Sequence, residues 1–251
     1  MTKNTVNKLQ DTILDLKQTL RDKDDFLSYA HHEIKSFIHS IYFISDYLND
    51  YWHSINPLEA QQHISTILES TECLKLMSED LFDLSRLNSG ALSFDMGNID
   101  LLELITDTIK HCRKIFLFKR ELSISFDHDQ ISTAYVNGDK SKIKQVLLNL
   151  IINAIKYTDK GDIVINLCML KINDINHWQF SISDQGIGIP EGELEAIFKP
   201  YFRSSKTNKS TPGSGLGLAI CQQIITHHKG IINATNNEDK GATFSFAIPA
   251  L

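Results

Sequence analysis

The chain has 251 residues, of which 42% are hydrophobic and 22% charged, and a formal net charge of −6 at pH 7. This composition is that of a globular protein with one or two buried cores, and it excludes a disordered or fibrous chain. The acidic balance gives no global positive field, so we expect no nucleic-acid partner. The four cysteines are scattered without a C-x-x-C pair, which predicts neither a zinc site nor a disulfide framework and indicates a reducing environment.

Membrane contact is not expected within this chain. No stretch approaches the roughly 18 consecutive apolar residues that a membrane span needs. The polar start, around Lys3 and Asn4, also lacks the apolar core of a signal peptide.

The first part of the chain is predicted to form long helices, because no glycine precedes Gly90 and Pro57 is the only proline there. Before residue 51, apolar residues recur every three or four positions, at Val6, Leu9, Ile13, Leu16, Leu20, Leu27, Ala30, Ile34, Phe37, Ile41, Ile44 and Leu48. This pattern predicts a coiled-coil seam over about six heptads, running into a helical hairpin with its break at residues 51–57. A hairpin alone cannot bury both of its apolar stripes, so we expect dimerisation into a four-helix bundle. The alternative is an amphipathic helix packed on its own chain.

After a turn at residues 88–90, shorter elements alternate. Helices are predicted at about 100–118, 140–157 and 216–228, and strands at 122–126, 163–170, 178–182 and 243–248. This order indicates a second, α+β domain.

Three histidines lie on the predicted first helix, and one of them, His32, directly precedes Glu33. With Leu27 at heptad position a, His32 falls at position f and faces solvent. An exposed imidazole beside a carboxylate can attack a phosphate donor, because the carboxylate can hold the tautomer and accept a proton. The alternative is that His32 only decorates a solvated face. His31 and His39 are competing candidates on the same helix, but neither precedes a glutamate.

Two glycine-rich segments follow in the second domain. Residues 184–189 (Asp-Gln-Gly-Ile-Gly-Ile) come after a predicted strand, and residues 213–218 (Gly-Ser-Gly-Leu-Gly-Leu) open a predicted helix. Glycines before a helix let backbone N–H groups approach phosphate oxygens, beside the positive end of the helix dipole. Glycines also make tight turns, so either segment alone is a weak signal. Neither a Walker loop nor a dinucleotide-binding fold fits, since no Gly-Lys-Ser/Thr follows and no βαβ unit precedes.

Asn149 and Asn153 are four residues apart and therefore share one face of the predicted helix 140–157. Amide oxygens suit a hard cation such as Mg²⁺, and the charge of Lys156 can reach the same phosphates. The alternative is that both amides are ordinary helix-surface or capping residues. That alternative is weakened because both asparagines have apolar neighbours, and an amide in such surroundings needs a hydrogen-bonding or metal partner.

Taken in order, these segments resemble those of sensor histidine kinases of two-component systems. Residues 26–41 resemble the H-box around the phosphoacceptor. Residues 145–157, 184–189, 197–203 and 213–218 resemble the N, G1, F and G2 boxes of the Bergerat-type ATP-binding fold, and 240–244 its last glycine box. Two positions depart from the H-box pattern: Phe37 replaces proline, and Ser36 replaces the Thr or Asn that orients water for dephosphorylation in this family. Phosphatase activity is therefore left open.

The resemblance implies an α+β fold in which an N-terminal coiled coil and a helical hairpin form a dimeric four-helix bundle, followed by an α/β-sandwich ATP-binding domain. The implied parts are a coiled-coil signalling helix (1–25), a dimerisation and histidine-phosphotransfer domain (26–90), a linker (91–98) and a catalytic ATP-binding domain (99–251). The linker is expected to hinge, and a lid over about 191–212 to order around nucleotide.

The resemblance also implies roles for single residues. His32 matches the phosphoacceptor, with Glu33 as base or orienting carboxylate and Ser36 one helical turn away. Asn153 matches the principal Mg²⁺ ligand and Asn149 its helper. The implied nucleotide contacts are Asn149, Asn153, Lys156, Tyr157, Asp184 (to the adenine amino group), Gly186, Gly188, Gly213, Gly215, Leu216, Gly217, Leu218 and, more weakly, Thr243.

The implied function is that of a homodimeric, ATP- and Mg²⁺-dependent histidine autokinase. It would phosphorylate His32 and pass the phosphoryl group to an aspartate of a response regulator receiver domain. The alternative is a catalytically silent, ATP-binding dimeric scaffold, which the divergent H-box favours. A chaperone- or topoisomerase-type ATPase fits less well, because those families have no such histidine-bearing hairpin. The expected location is cytoplasmic, either throughout or as the cytoplasmic part of a membrane-bound sensor.

Overall fold

The structure is a computed structural model that describes residues 3–89, 93–116, 121–128, 130–207 and 215–251, with the backbone alone for 87–89 and for much of 3–22. Two long helices come first, α1 (Lys3–Tyr51) and α2 (Pro57–Ser89). The second domain contains β1 (Gly97–Asp100), α3 (Leu101–Phe116), β2 (Leu122–Asp127), β3 (Tyr135–Gly138), α4 (Lys140–Tyr157), β4 (Gly161–Ile172), β5 (Ile175–Ser183), α5 (Gly217–His227), β6 (Ile231–Asn236) and β7 (Ala242–Pro249). The predicted α+β class, with its helical front part, is confirmed.

The hairpin turns where the sequence predicts. Backbone N–H groups of Ser54 and Ile55 donate to the Tyr51 carbonyl at 2.9 Å, which closes the end of α1. Asn56 caps α2, since its Oδ1 accepts from the Glu59 N–H at 2.9 Å, and Pro57 occupies the first helical position, where a missing N–H costs nothing.

One side of the hairpin remains apolar and uncovered in the single chain. Its exposed large side chains include Ile13, Leu20, Leu27, Ile38 and Tyr42 on α1, and Leu58, Ile64 and Leu68 on α2. The side chains of Val6, Leu9 and Leu16, which belong to the predicted seam, lie outside the described residues.

The core of the second domain lies between a five-stranded sheet and helices α3, α4 and α5. The strand order is β2-β4-β5-β7-β6, parallel between β2 and β4 and antiparallel elsewhere. Alternate residues of β4, such as Ile163 and Ile165, are fully buried. Phe180 and Phe246 stack across β5 and β7 with ring centroids 5.1 Å apart. This layer fixes α4 and α5, which carry most of the candidate site.

Three short strands, β1, β3 and β6, were not predicted. β1 and β3 have only four residues each, and β6 has only one buried side chain, so their alternation is weak. Gly97 and Asn98, which the sequence analysis places in the linker, belong to β1 and pair with Gly138 and Asn137 of β3.

The hairpin is docked on its own second domain. Lys142 of α4 binds the Asp83 carboxylate of α2, with Nζ 2.6 and 2.7 Å from the two oxygens. His111 of α3 lies 3.4 Å from Glu72 of α2. At the other end of the interface the Phe26 ring packs on Tyr201, with centroids 5.2 Å apart.

Candidate active site

A cavity of about 230 Å³ lies between the hairpin and the second domain. The second domain contributes Asn149, Ile152, Asn153, Lys156, Tyr157, Asp184, Ile187, Gly188, Ile189, Gly215, Gly217, Leu218, Ala242 and Phe244 to its wall, together with residues of the 197–207 segment. The hairpin contributes Glu33, Phe37, Cys73, Leu76, Met77 and Asp80. All six segments that carry the family resemblance thus contribute to one cavity.

Helix α4 presents both predicted asparagines to this cavity, one helical turn apart. The Nδ2 of Asn149 is buried and has no hydrogen-bond partner among the described residues. The N-terminus of α5 approaches closely, since a Cβ on Gly217 would lie 3.0 Å from Asn149 Oδ1. A buried amide without a partner is costly unless a ligand satisfies it. Because the unpartnered atom is a donor, the site fits an acceptor such as a phosphate oxygen.

Lys156 places a positive charge at the same wall. Its Nζ donates to the Tyr157 hydroxyl at 3.0 Å and lies 4.6 Å from the centre of the Tyr157 ring. Both residues line the cavity, as predicted. The Tyr157 hydroxyl thus helps to orient the Lys156 ammonium group, which can bind an anionic ligand in the cavity.

Asp184 follows β5 and is almost fully buried at the cavity wall. Burial raises the pKa of its carboxyl, and this is opposed by the N–H groups of Gly186 and Ala242, which donate to Oδ1 at 2.8 and 3.3 Å. Gly241 passes directly over this residue: a Cβ on it would lie 1.9 Å from the Asp184 carbonyl oxygen. The carboxylate thus has a fixed orientation.

The predicted glycines have distinct places. Gly188 lines the cavity with φ +69°, whereas Gly186 lies behind it, where a Cβ would meet the Tyr157 carbonyl oxygen at 2.3 Å. Gly215, with φ +68°, accepts a hydrogen bond from Tyr201 N at 3.0 Å, which ties the 197–207 segment to the start of α5. Both positive φ angles are strained for other residues.

The remaining predicted contacts near α5 divide in three ways. Gly217 and Leu218 line the cavity. Leu216 is fully buried and its side chain belongs to the core. Gly213 lies outside the described residues.

Thr243 does not line the cavity, contrary to the sequence prediction. Side chains alternate along a strand, so its neighbours Ala242 and Phe244 face the cavity instead. The Thr243 hydroxyl donates to Asn237 Oδ1 at 2.6 Å, and Asn237 in turn donates to the Asp184 carbonyl at 2.8 Å. Thr243 thus supports the Asp184 turn indirectly.

His32 is exposed on α1, as its heptad position predicts, and so are His31, Ser36 and His39. Glu33, by contrast, is only 8% exposed and lines the cavity. Successive helical residues point about 100° apart, so the two members of the predicted pair face different surroundings. The docked hairpin brings Glu33, but not His32, to the cavity.

The sequence analysis missed the contribution of α2. Cys73, Leu76 and Met77 carry no signal that separates them from an ordinary core stripe. Asp80 does carry one, because a carboxylate three residues after Met77 interrupts the apolar side of the helix. It is 4% exposed and accepts a hydrogen bond from Gln145 Nε2 at 3.3 Å.

Comparison with known proteins agrees with this geometry. Residues 138–251 match the family of histidine kinase-, DNA gyrase B- and HSP90-like ATPases. The autoinducer 2 sensor kinase/phosphatase LuxQ of Vibrio vulnificus is 30% identical over 238 residues, covering 93% of this chain and 27% of LuxQ. The aerobic respiration control sensor protein ArcB of Escherichia coli is 27% identical, covering 94% of this chain and 30% of ArcB. The chain thus spans less than a third of these curated relatives.

Solved structures extend the comparison. The catalytic domain of histidine kinase ThkA is 34% identical with a TM-score of 0.53, covering 62% of this chain and 97% of that domain. Histidine kinase AdeS of Acinetobacter baumannii is 25% identical with a TM-score of 0.57, covering 87% of this chain and 97% of its own. None of the helices in the described ranges combines the length and apolar character of a membrane span. On its sequence, fold and site geometry, this chain belongs to the sensor histidine kinase family, with a Bergerat-type ATP-binding domain.

Proposed function

We propose that this chain is an ATP-dependent histidine autokinase that phosphorylates His32 and then transfers the phosphoryl group to an aspartate of a response regulator. The observation that carries this proposal is the convergence of Asp184, Asn149 and Asn153 on one cavity whose opposite wall is the hairpin that bears the histidine. An ATPase without phosphotransfer would not require a histidine-bearing hairpin at that wall.

ATP binding follows from the chemistry of the wall. The Asp184 carboxylate accepts from the adenine amino group, and Gly188 lets the base approach the backbone. Lys156 and the N-terminus of α5, from Gly215 to Leu218, face the phosphates. Gly213 and Tyr157 complete the proposed nucleotide contacts.

Asn153 and Asn149 would hold Mg²⁺, which when bound neutralises phosphate charge. The unpartnered Nδ2 of Asn149 would donate to a phosphate oxygen, while the Oδ1 atoms would face the metal ion. The protein itself supplies mainly positioning, because phosphoryl transfer has a loose transition state.

The imidazole of His32 is the proposed nucleophile and Glu33 the proposed base or orienting carboxylate. His32 faces solvent in the docked arrangement, so transfer requires the hairpin and the second domain to change their relative position. We propose a coiled-coil signalling helix at 1–25 and a dimerisation and histidine-phosphotransfer domain at 26–90. Because Gly97 belongs to β1, the proposed linker ends at Met96 and the catalytic domain begins at Gly97.

We further propose that the chain is a homodimer in the cytoplasm, either throughout or as the cytoplasmic part of a membrane-bound sensor. The uncovered apolar side of α1 and α2 would be buried against a second copy in a four-helix bundle. The competing proposal is a silent ATP-binding scaffold, which the substitutions Phe37 and Ser36 in the H-box favour.

Incubation with γ-labelled ATP and Mg²⁺ tests the proposal. Wild type should acquire acid-labile, alkali-stable label that His32→Gln loses, whereas the matched variants His31→Gln and His39→Gln should retain it. Label that persists in His32→Gln would assign the acceptor elsewhere. Absence of label despite measurable ATP binding would favour the scaffold.

A further inference from the structure

The linker is attached to the far end of α5, away from the cavity. The ring of Phe94 stacks on His227 with centroids 3.7 Å apart and planes 10° apart, and it meets His228 edge-on at 5.6 Å. Phe94 therefore joins the linker to the last turn of α5.

His228 is 3% exposed and is bonded at both ring nitrogens. Its Nε2 accepts from the backbone N–H of Asp139 at 2.9 Å, and its Nδ1 lies 2.7 Å from the Ile224 carbonyl oxygen. A backbone donor at one nitrogen and an acceptor at the other select the neutral ring with its proton on Nδ1. Gly138 allows this packing, because a Cβ there would lie 2.9 Å from the ring.

Asp139 connects His228 to the linker and to α4. Its Oδ2 accepts from the backbone N–H of Asp95 at 2.8 Å. Its Oδ1 caps α4 by accepting from the N–H groups of Ser141 and Lys142. The linker, the start of α4 and the end of α5 thus meet at one point. The opposite ends of the two helices lie at the cavity, where α4 contributes Asn153 and α5 contributes Gly217.

We propose that Phe94, His227 and His228 are positioning residues that anchor the linker to the ATP-binding domain, and that protonation of His228 releases this anchor. With His228 neutral, the linker is fixed to the domain from Phe94 onward. With His228 protonated, Nε2 carries a proton and confronts the Asp139 N–H, so a hydrogen bond becomes a contact between two donors. The proposal does not depend on kinase activity.

The groups around His228 determine how it titrates. Burial lowers the pKa of His228, and a protonated His227 lowers it further, whereas the Ile224 carbonyl and the Asp139 carboxylate oppose the decrease. The linker presents the uncharged Phe94, with the Asp95 amide bound to Asp139, and β3 presents Gly138. The anchor should therefore hold at neutral pH and open only below the ordinary histidine range.

Amide hydrogen exchange measured by NMR on the full chain, from pH 7.5 to 4.5, tests this proposal. The Asp139 and Asp95 amides donate to His228 and Asp139, so their protection factors report the anchor directly. In wild type we expect both to fall at least tenfold as the pH drops through the lowered pKa of His228, in step with the titration of its ring nitrogens.

Two variants separate the titration from packing. His228→Gln retains an oxygen acceptor but cannot titrate, so its protection should not depend on pH. His177→Gln is the control. His177 is also buried, but it lies on β5, outside the linker, with its Nδ1 hydrogen-bonded to the Ile175 carbonyl oxygen, so the pH dependence of this variant should match that of wild type. Constant protection in wild type across the range would overturn the proposal, as would the same pH dependence in His228→Gln. Should His228→Gln not fold, a loss of protection in wild type that does not track the His228 titration would also overturn it.

Discussion

Lys142 at the start of α4 and Asp83 near the end of α2 form a paired contact in which the ammonium nitrogen reaches both carboxylate oxygens, at 2.6 and 2.7 Å. The Asp83 side chain is 4% exposed, so solvent screens the pair weakly. Together with the Gln145–Asp80 hydrogen bond, this pair ties the hairpin over the cavity. In this arrangement the hairpin residues Glu33, Phe37 and Asp80 form part of the cavity wall.

Asp83→Asn should therefore loosen the docked hairpin. Breaking a buried ion pair costs about 3–5 kcal/mol, and less where one partner is partly exposed, so undocking should become at least about tenfold more frequent. Cys73 reports this change, because it lines the cavity and burial raises the pKa of its thiol to about 11. We expect faster modification of Cys73 by a thiol reagent at pH 8.

The controls use a surface pair and the thiol itself. Asp174→Asn removes the exposed Lys171–Asp174 pair on β4 and the turn after it, and should leave the rate unchanged. Cys73→Ser should remove the signal. An unchanged rate in Asp83→Asn would show that this pair does not hold the hairpin.

Asp184→Asn should stabilise the nucleotide-free fold and weaken nucleotide binding. Because burial raises the carboxyl pKa above its unfolded value, its favourable contribution to stability is present at low pH and is lost as the pH rises through the folded-state pKa. Asparagine keeps an acceptor for Gly186 and Ala242 without the buried charge, so Tm at pH 7 should rise. A lost charge-assisted hydrogen bond to adenine should weaken ADP binding by about 10- to 100-fold. Calorimetry measures both quantities, and ADP affinity equal to wild type would remove Asp184 from the site.

Gly241→Ala should destabilise the domain and weaken nucleotide binding. Its φ of +90° strains any side chain, and the added Cβ would meet the Asp184 carbonyl oxygen at 1.9 Å. We expect a loss of more than about 1 kcal/mol in the free energy of unfolding. Gly192→Ala is the matched control, since nothing lies within 4 Å of its Cβ position and it should be nearly neutral. Equal denaturation midpoints for the two variants would contradict the expectation.

Asp139→Ala should lower stability in a pH-dependent manner. Burial raises the carboxyl pKa, but hydrogen bonds from Asp95, Ser141 and Lys142 outweigh it and lower the pKa overall. Such a group stabilises the fold above its unfolded pKa, and this stabilisation is lost as the pH falls through the lower folded-state pKa. Loss of a helix cap costs about 0.5–2 kcal/mol at pH 7. Denaturation of Asp139→Ala and of the exposed control Asp159→Ala, at pH 7 and pH 3, should show a difference that shrinks at pH 3.

The elements that sequence predicted best are those with a strong period or a strong boundary. α4 begins and ends at the predicted residues because Asp139 caps it and Tyr157 precedes a turn. The hairpin break follows from Pro57 and the polar residues before it. β1 and β3 were missed because each has four residues and depends on pairing with the other.

The wall of the candidate site that the second domain contributes could be predicted, because its residues lie in short sequence motifs such as the one that contains Asn149 and Asn153. The other wall was predicted only in part: Glu33 was named as the partner of His32, whereas Cys73 and Asp80 were not, because they reach the cavity only through docking of the hairpin. Thr243 shows a second limit, because the face on which a strand residue lies depends on a register that a family resemblance does not give. Ala242 and Phe244, not Thr243, therefore face the cavity.

Mapping the phosphoryl group by fragmentation mass spectrometry after incubation with ATP and Mg²⁺ tests the central claim most directly. Trypsin cleavage at Lys23 and Lys35 releases residues 24–35, which contain His31 and His32, whereas His39 lies on the following peptide. We expect one phosphohistidine, at His32, under conditions that preserve the phosphoramidate bond. Phosphate on His31, on His39 or on neither peptide would contradict it.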